Sequence, residues 1–259
     1  MPRIIVFANR KGGCGKTTTA VNVAHALALK SRKVLVLDAD PQAHASISIG
    51  YPPDSLSSGI YDLLTGTSSP ADVMIPTRLK NLSLIPASRH LTAFEIDYSS
   101  RSGCESLLAE KLSAAVSDDL SVFDYLIIDP PPTVGLLTVS ALTAAKEVCI
   151  PMPMHFLAME GLAEMMRLIY TVNAAWNPAL RMAGIIPTFH NKQTKLAREL
   201  GEEIRTNFGE DRLLPAIRMN VSLAEAPGYG QTVLEYAPAS AGAKDYKKLA
   251  LHIERMGRE

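Results

Sequence analysis

The chain has 259 residues, 47% of them apolar, which is enough to build one large domain over 1–259 around a substantial core. Its 26 basic and 26 acidic residues balance, so overall charge is excluded as a means of binding nucleic acid or membranes, and only a local patch can serve that purpose. The three cysteines lie far apart without metal-site spacing, as expected in a reducing compartment. No apolar run approaches the ~20 residues of a membrane span. We therefore expect a cytoplasmic protein with no signal peptide and no stable membrane insertion.

The first predicted elements are a buried strand over 3–8 and a helix over 16–30. Between them lies a glycine-rich loop with the sequence R-K-G-G-C-G-K. Glycines let backbone N–H groups approach an anion closely, and the N-terminus of the following helix adds the positive end of its dipole. This order of strand, loop and helix predicts a phosphate-binding loop.

The loop carries side chains suited to a nucleoside triphosphate and its magnesium ion. Lys16 supplies a charge for the β- and γ-phosphates, and the Thr17 hydroxyl is placed to ligate Mg²⁺. A second lysine, Lys11, lies on the outer limb of the loop, where it is better placed for the phosphates of a facing subunit than for its own. The predicted cofactor-binding residues of the loop are Lys11, Gly12, Gly13, Cys14, Gly15, Lys16, Thr17 and Thr18.

The motif K-G-G-x-G-K-T-T, with its early lysine, resembles the deviant Walker A motif of ParA/MinD-type ATPases. The resemblance covers nearly the whole chain; it is strongest at 9–23, 34–42, 123–132 and 220–246 and loose over 51–120. It implies a P-loop fold that binds ATP and Mg²⁺ and forms an ATP-dependent homodimer. No arginine finger is evident within the chain, so we expect hydrolysis to be slow without an activating partner.

A second apolar strand over 33–38 follows the first helix closely, which implies a parallel pair of strands. It ends in D-A-D-P-Q, and acidic residues at the carboxyl end of a parallel strand face a ligand crevice, although an aspartate before proline is also a common helix N-cap. The motif resembles the second nucleotide motif of the family. By that resemblance Asp40 positions the attacking water and Asp38 supports the magnesium shell. The predicted catalytic residues are Lys11, Lys16 and Asp40.

The middle of the chain begins with a Pro-, Ser-, Gly- and Asp-rich stretch over 51–81, which we interpret as a surface excursion with one short helix near 59–64. A short strand over 82–86 and a helix over 104–117 follow. The strand over 122–129 closes on Asp129, the Walker B pattern of a carboxylate that holds the magnesium shell. The predicted metal residues are therefore Thr17, Asp38 and Asp129.

The second half contains predicted strands over 148–153, 182–189 and 213–217, and a helix over about 157–176. The sequence V-S-L-A-E-A-P-G-Y-G from 221 resembles V-R-L-S-E-A-P-S-x-G of the family, with Ser222 at the position where an arginine linked to DNA binding is usual. The resemblance implies adenine contacts from the residues just before it, namely Ile217, Arg218 and Asn220.

The last predicted helix, over 241–255, separates into an apolar face and a basic face at 100° per residue. The basic face is either an ordinary solvated surface or a DNA-binding patch. The residues considered for DNA binding are Lys244, Lys247, Lys248, Arg255 and Arg258 on this helix, together with Arg218.

These features predict an α/β fold: one doubly wound, mostly parallel, twisted sheet of seven or eight strands with helices on both faces. The function that the resemblance favours is a ParA-type partitioning ATPase, associated with the nucleoid in its ATP state and released by a ParB-like or cargo-adaptor protein. Its cargo is a plasmid, a chromosome or a protein assembly. One alternative is a MinD-type membrane-associated ATPase, and another is an ATP-driven metal or iron–sulfur carrier.

Overall fold

The computed structural model describes residues 1–155 and 158–257, except for the side chain of Asp54. Seven strands of the described chain form one sheet. The strands are β1 (Arg3–Phe7), β2 (Val34–Asp38), β3 (Ile75–Pro76), β4 (Leu82–Ile85), β5 (Tyr125–Asp129), β6 (Glu147–Pro153) and β7 (Arg181–Thr188). Their order across the sheet is β3-β4-β2-β5-β1-β6-β7, and every pair is parallel except β3 with β4. The predicted α/β fold is confirmed.

Twelve α-helices are assigned within the described ranges. They are α1 (Lys16–Ala28), α2 (His44–Ser48), α3 (Ile60–Thr65), α4 (Pro70–Val73), α5 (Leu91–Tyr98), α6 (Leu107–Ala115), α7 (Leu136–Ala144), α8 (Ala158–Ala175), α9 (Lys195–Phe208), α10 (Val221–Glu225), α11 (Val233–Tyr236) and α12 (Ala241–Met256). Short 3₁₀ turns lie at Pro53–Ser55, Cys104–Ser106, Glu210–Arg212 and Ala226–Tyr229. No helix among the described residues is both long and apolar enough to cross a membrane.

Each face of the sheet carries its own hydrophobic core, because successive strand residues point to opposite faces. Ile4 and Val6 of β1 pack into the cluster that contains α3, α6, α7 and α8. Ile5 and Phe7 pack into the cluster that contains α1 and α12. The central strands therefore have continuous apolar sequences, as is usual where helices cover both faces of a parallel sheet.

The prediction of a strand over 213–217 is wrong. The segment runs beside β7, where Leu214 N donates to Ile185 O at 2.9 Å and Ile217 N donates to Pro187 O at 2.7 Å. Pro215 lies between these two donors and has no N–H, so the ladder is interrupted and only isolated bridges form.

The segment over 51–81 is more than a surface excursion, because Ile60, Leu63 and Val73 are buried in the core. It forms α3 and α4 and contributes β3 at the edge of the sheet. Seven of the helices in the described ranges were not predicted, namely α2, α4, α5, α7, α9, α10 and α11. Two positions used in the predictions, Leu157 and Arg258, lie outside the described residues.

The sheet order brings the predicted motifs to one edge. β1 is flanked by β5 and β6, and β5 lies between β1 and β2. In the parallel register of β2 and β5, Asp38 is directly opposite Asp129. The loop after β1 and both acidic strand ends therefore meet at the carboxyl edge, where ligands bind in open α/β sheets.

Candidate nucleotide-binding site

The loop between β1 and α1 has the backbone that the glycines predicted. Gly13 has a φ of 70° and Gly15 a φ of 88°, both in the left-handed region that favours glycine. Gly15 forms the N-cap of α1 and has no side chain with which to cap it. The first N–H groups of this 13-residue helix are therefore left for a ligand, and an anion is the favoured one.

Lys16 begins α1 and is almost buried, with 6% of its surface exposed. Its Nζ donates to the backbone carbonyl of Lys11 at 3.2 Å, which folds the side chain back across the inside of the loop. The loop is further fixed to β7 by the Thr188 hydroxyl, which donates to Cys14 O at 2.9 Å. A buried ammonium enclosed by backbone amides is the arrangement that binds phosphate oxygens.

Lys11 lies on the outer limb of the loop, as predicted, and its Nζ is 3.2 Å from Nε2 of His155. Its backbone N–H donates to Asn9 Oδ1 at 3.0 Å, and Asn9 Nδ2 donates to Pro151 O at 2.7 Å. The limb is therefore tied to the carboxyl end of β6 through both its backbone and the Lys11 side chain. The sequence analysis missed Asn9 and His155, because each makes its contact with a residue more than 140 positions away in the chain.

Arg10, the neighbour of Lys11, makes a separate ion pair with α8. Its Nη1 lies 3.2 Å from Oε2 of Glu164, and both side chains are more than one-third exposed. Exposed pairs of this kind contribute little to stability. The two cations of the outer limb thus have different partners. Lys11 contacts His155, which precedes α8, and Arg10 contacts Glu164 on α8 itself.

Asp129 is the most unusual carboxyl group of the site. It is fully buried, and neither of its oxygens has a hydrogen-bond partner among the described residues. Burial raises the pKa of Asp129 well above its usual range, and the neighbouring Asp38 raises it further. The nearby Thr17 hydroxyl and Lys16 ammonium act in the opposite direction, although neither makes a hydrogen bond of normal geometry to the carboxylate. A buried carboxylate without a donor is stabilised in its ionised form by a cation nearby.

Asp38 has a different environment from Asp129. Its Oδ2 accepts hydrogen bonds from the backbone and hydroxyl of Ser46, both at 2.7 Å, and its Oδ1 accepts one from Asp40 N at 3.2 Å. Burial raises the pKa of Asp38 to about 7, although the Ser46 hydrogen bonds act in the opposite direction. Its oxygens are engaged by the chain, so its contacts hold the turn that carries Asp40. Ser46 was not singled out from the sequence.

Asp40 lies at the carboxyl end of β2, next to the β5 strand that carries Asp129. It is buried, and its Oδ1 accepts a hydrogen bond from Gln42 N at 2.9 Å, which fixes the direction of the carboxylate. The aspartate makes a local turn contact and caps no helix, because α2 begins at His44 with Ala43 as its N-cap, so the helix N-cap interpretation is wrong.

A magnesium ion fits the donors of this edge, but only together with a phosphate. In the described part of the chain, no group of three or more His, Cys, Asp or Glu side chains is arranged to hold a metal ion by itself. Mg²⁺ is usually held by one or two protein oxygens together with phosphate oxygens and water. Thr17 and the unpartnered carboxylate of Asp129 match that requirement.

A mainly apolar cavity of about 420 Å³ adjoins the loop at Gly15 and Thr18. Its other walls come from the end of β7, from the segment before α10, from α10 itself and from α12. Asn220 lines this cavity, and its Oδ1 is buried without a hydrogen-bond partner among the described residues. Ile217 and Arg218 also line it, so the predicted adenine residues are brought together. The Arg218 guanidinium, however, is bonded to Asp245 at 2.9 and 2.7 Å.

The basic face of α12 is present. Tyr246, Leu249, Ala250 and Ile253 are buried, whereas the cations on the opposite side are exposed. Those exposed cations are Lys244, Lys247, Lys248 and Arg255. Arg218 does not extend this face as a free cation, because its pairing with Asp245 neutralises it.

The fold and the loop together define a P-loop nucleoside triphosphatase. The profile of the family described as AAA domain matches residues 2–182. The chain is 38% identical to the chromosome-partitioning ATPase Soj of Treponema pallidum, over 98% of this chain and 97% of that protein. It is 36% identical to the chromosome partitioning protein ParA of Caulobacter vibrioides, over 97% of this chain and 93% of that protein. The chain belongs to the ParA/Soj family of chromosome-partitioning ATPases.

A solved structure supports the same fold. The crystal structure of cobyrinic acid a,c-diamide synthase from Mycobacterium smegmatis with bound ADP and magnesium is 31% identical to this chain and has a TM-score of 0.84. The comparison covers all of this chain and 96% of the other.

Proposed function

We propose that this protein is an ATP-dependent partitioning ATPase. Two subunits enclose two nucleotides at their interface, and the dimer binds DNA without sequence preference on the nucleoid. An activating ParB-like or cargo-adaptor protein stimulates hydrolysis and releases the dimer. The cycle segregates a plasmid, a chromosome or a protein cargo in the cytoplasm.

The observation that carries this proposal is the second lysine of the loop. Lys11 Nζ is 3.2 Å from His155, whereas Lys16 alone points back into the loop. A cation on the outer limb adds little to phosphate binding in its own subunit and is well placed for the γ-phosphate of a facing one. A ParA-type dimer uses its signature lysine in that way.

The residues divide the work of hydrolysis between binding and positioning. Lys16 and the backbone of Gly12–Gly15 hold the phosphates, and Thr17 with Asp129 would hold Mg²⁺, which neutralises developing phosphate charge when it is bound. Asp40 orients the attacking water, and Asp38 holds the turn that carries Asp40. None of these side chains forms a covalent bond to the substrate, because phosphoryl transfer depends on position and charge.

The cavity beside Gly15 and Thr18 is the proposed adenine site. Its apolar walls suit a flat base, and Asn220 Oδ1 offers an unpartnered acceptor. The exocyclic amino group of adenine can donate to this oxygen, whereas guanine presents a carbonyl in the corresponding place. We therefore expect a preference for ATP over GTP.

The alternatives have weaker support. A metal or iron–sulfur carrier needs paired thiolates on an accessible surface, whereas the three described cysteines are free, buried and placed in different elements. A MinD-type protein would insert the apolar face of its terminal helix into a membrane. The corresponding face of α12 is buried in the core beside α1, with Tyr246 and Leu249 at 1% and 0% exposure.

DNA binding is tested with Lys244→Glu, Lys247→Glu and Lys248→Glu combined. The variant is expected to lose ATP-dependent retention of duplex DNA, while ATP-driven dimerisation persists. Each lysine that contacts a phosphate contributes about 0.9 to the slope of log binding constant against log salt. Binding to duplexes of unrelated sequence over a salt series measures this slope.

The matched control reverses the same number of charges at the amino edge of the sheet. It changes Lys33, Lys80 and Lys146, which are exposed and lie just before β2, β4 and β6. This control should bind DNA normally. Normal DNA binding by the α12 variant would show that the patch lies elsewhere. If the wild-type protein sediments with anionic vesicles and ignores DNA, the MinD-type alternative replaces the proposal.

His155 offers a test of how the signature lysine is held. His155→Ala removes the partner of Lys11 within its own subunit, so ATP-driven dimerisation should strengthen by up to about tenfold, since such a hydrogen bond contributes ~0.5–1.5 kcal/mol. The dimer dissociation constant, measured by light scattering over a concentration series, reports the change. Glu164→Gln, which frees Arg10 instead, should leave that constant unchanged. Equal or weaker dimerisation in His155→Ala would contradict this role.

A further inference from the structure

A groove of about 720 Å³ lies on the side of the molecule formed by α9, the segment over 213–216 and the second half of α12. It is separate from the nucleotide cavity, because none of the loop residues lines it. Its floor is apolar and is formed by Pro187, Leu213, Leu214, Pro215 and Ala216. Neither the phosphates nor the base of the nucleotide accounts for this surface.

Two small residues of α9 leave the space open. Ala197 and Gly201 are one helical turn apart, are both buried and both line the groove. Glycine inside a helix costs about 1 kcal/mol relative to alanine, so Gly201 is an unfavourable choice for the helix alone. A Cβ at Gly201 would meet only Arg205 Nη1 at 3.6 Å and Leu213 Cδ2 at 3.9 Å, so a longer side chain there would extend into the groove.

The rim of the groove is basic. Lys192, Arg198 and Lys248 line it, and within the described residues none of the three has an ion-pair partner. The carboxylate on the rim, Glu202, is already paired with Arg205 at 3.4 Å. Lys248 also belongs to the basic face of α12 and interacts electrostatically with Asp245, so Lys192 and Arg198 are the two rim cations that the proposed DNA patch does not use.

The rim also carries an unpartnered polar atom. His190 lines the groove, and its Nδ1 is buried with no hydrogen-bond partner among the described residues. A buried polar atom of this kind costs free energy until a ligand satisfies it. An incoming carboxylate can accept a hydrogen bond from Nδ1–H while its charge faces Lys192 and Arg198.

We propose that this groove binds an acidic, amphipathic segment of a partner protein, with apolar side chains on its floor and carboxylates along its rim. Duplex DNA matches the rim charge but has no apolar groups to cover the floor, whereas a peptide with alternating acidic and apolar residues matches both. The groove does not involve the nucleotide, so this inference holds whether or not ATP drives dimerisation.

The test uses a fluorescein-labelled peptide of alternating glutamate and leucine, with nucleotide-free protein and fluorescence anisotropy as the readout. Wild-type protein should bind this peptide, and polyglutamate of the same length should bind at least about tenfold more weakly because it leaves the floor uncovered. Arg198→Glu should weaken peptide binding by about tenfold or more, since it turns attraction at the rim into repulsion.

Three variants of α9 distinguish binding in the groove from a general effect of charge and from a loss of folding. Lys195→Glu makes the same charge change on α9 outside the groove, where Lys195 is 83% exposed and pairs with Glu199, and it should leave peptide binding unchanged. Gly201→Leu should fill the groove and weaken binding without changing any charge, while Gly201→Ala should fold at least as stably as wild type.

Three outcomes overturn the proposal. They are peptide binding that is equal in Arg198→Glu and wild type, peptide binding that survives Gly201→Leu, and no binding of the Glu/Leu peptide to wild-type protein. If Arg198→Glu instead reduces retention of a DNA duplex while peptide binding is absent, the groove belongs to the DNA surface.

Discussion

Replacing Asp40 with alanine is expected to leave ATP binding intact and to lower the hydrolysis rate by about 10²-fold or more. The carboxylate is buried at the end of β2 and is held in one direction by Gln42 N at 2.9 Å. In the proposed mechanism, alanine removes the group that orients the water but none of the groups that hold the phosphates. Nucleotide affinity and steady-state phosphate release, measured on the same preparation, separate the two effects.

Two further variants sharpen this test. Asp40→Asn keeps an oxygen acceptor for Gln42 N but loses the charge, so low turnover in this variant assigns the effect to the carboxylate itself. Asp72→Ala removes an exposed aspartate that caps α4 and touches no part of the site, and it should hydrolyse ATP normally. Wild-type turnover in Asp40→Ala would remove Asp40 from catalysis.

Replacing Lys11 with alanine is expected to abolish the ATP-driven dimer while the monomer still binds ATP. The reason is that in the proposed dimer the ammonium on the outer limb serves the partner's nucleotide, whereas Lys16 serves its own. In the Asp40→Ala background, where ATP is retained, light scattering with ATP should give twice the monomer mass. The Lys11→Ala, Asp40→Ala double variant should give the monomer mass at the same concentration.

Arg10 provides a matched control for this experiment. It lies beside Lys11 on the same limb and carries the same charge, but its partner is Glu164 rather than His155. Arg10→Ala in the Asp40→Ala background should therefore still dimerise with ATP. Equal dimerisation of the Lys11→Ala double variant would mean that the cross-subunit role is wrong.

The parts of the site that were predictable are those encoded within short stretches. Gly13 and Gly15 take left-handed φ values in one continuous motif, so the sequence alone indicates the loop. Asp38 and Asp129 each close an apolar run, and parallel pairing then brings such strand ends to one edge of the sheet. Local patterns of this kind are enough for the fold class and for the phosphate end of the site.

The parts that were missed depend on contacts between distant residues. The contact of Lys11 with His155 joins a loop to the end of another strand, and no spacing rule connects the two. The strand prediction over 213–217 failed because apolar composition outweighed the missing N–H of Pro215. The helix over Lys195–Phe208 is an exception, because it carried a local signal that was overlooked: Thr194 is an N-cap, and Ala197, Leu200 and Ile204 recur on one face.

The position of β1 in the sheet has a consequence for how the chain is made. Although β1 leaves the ribosome before the other six strands of the sheet, its two hydrogen-bonded neighbours are β5 and β6, and Arg3 pairs with Tyr125. At a synthesis rate of about 5–20 residues per second, β1 waits on the order of ten seconds for its first partner strand. During that time its apolar side chains and both of its edges are open to other chains. The strand that carries the nucleotide loop is therefore among the segments of the nascent protein with most need of chaperone protection, and a fragment that ends before β5 has no sheet in which to place it.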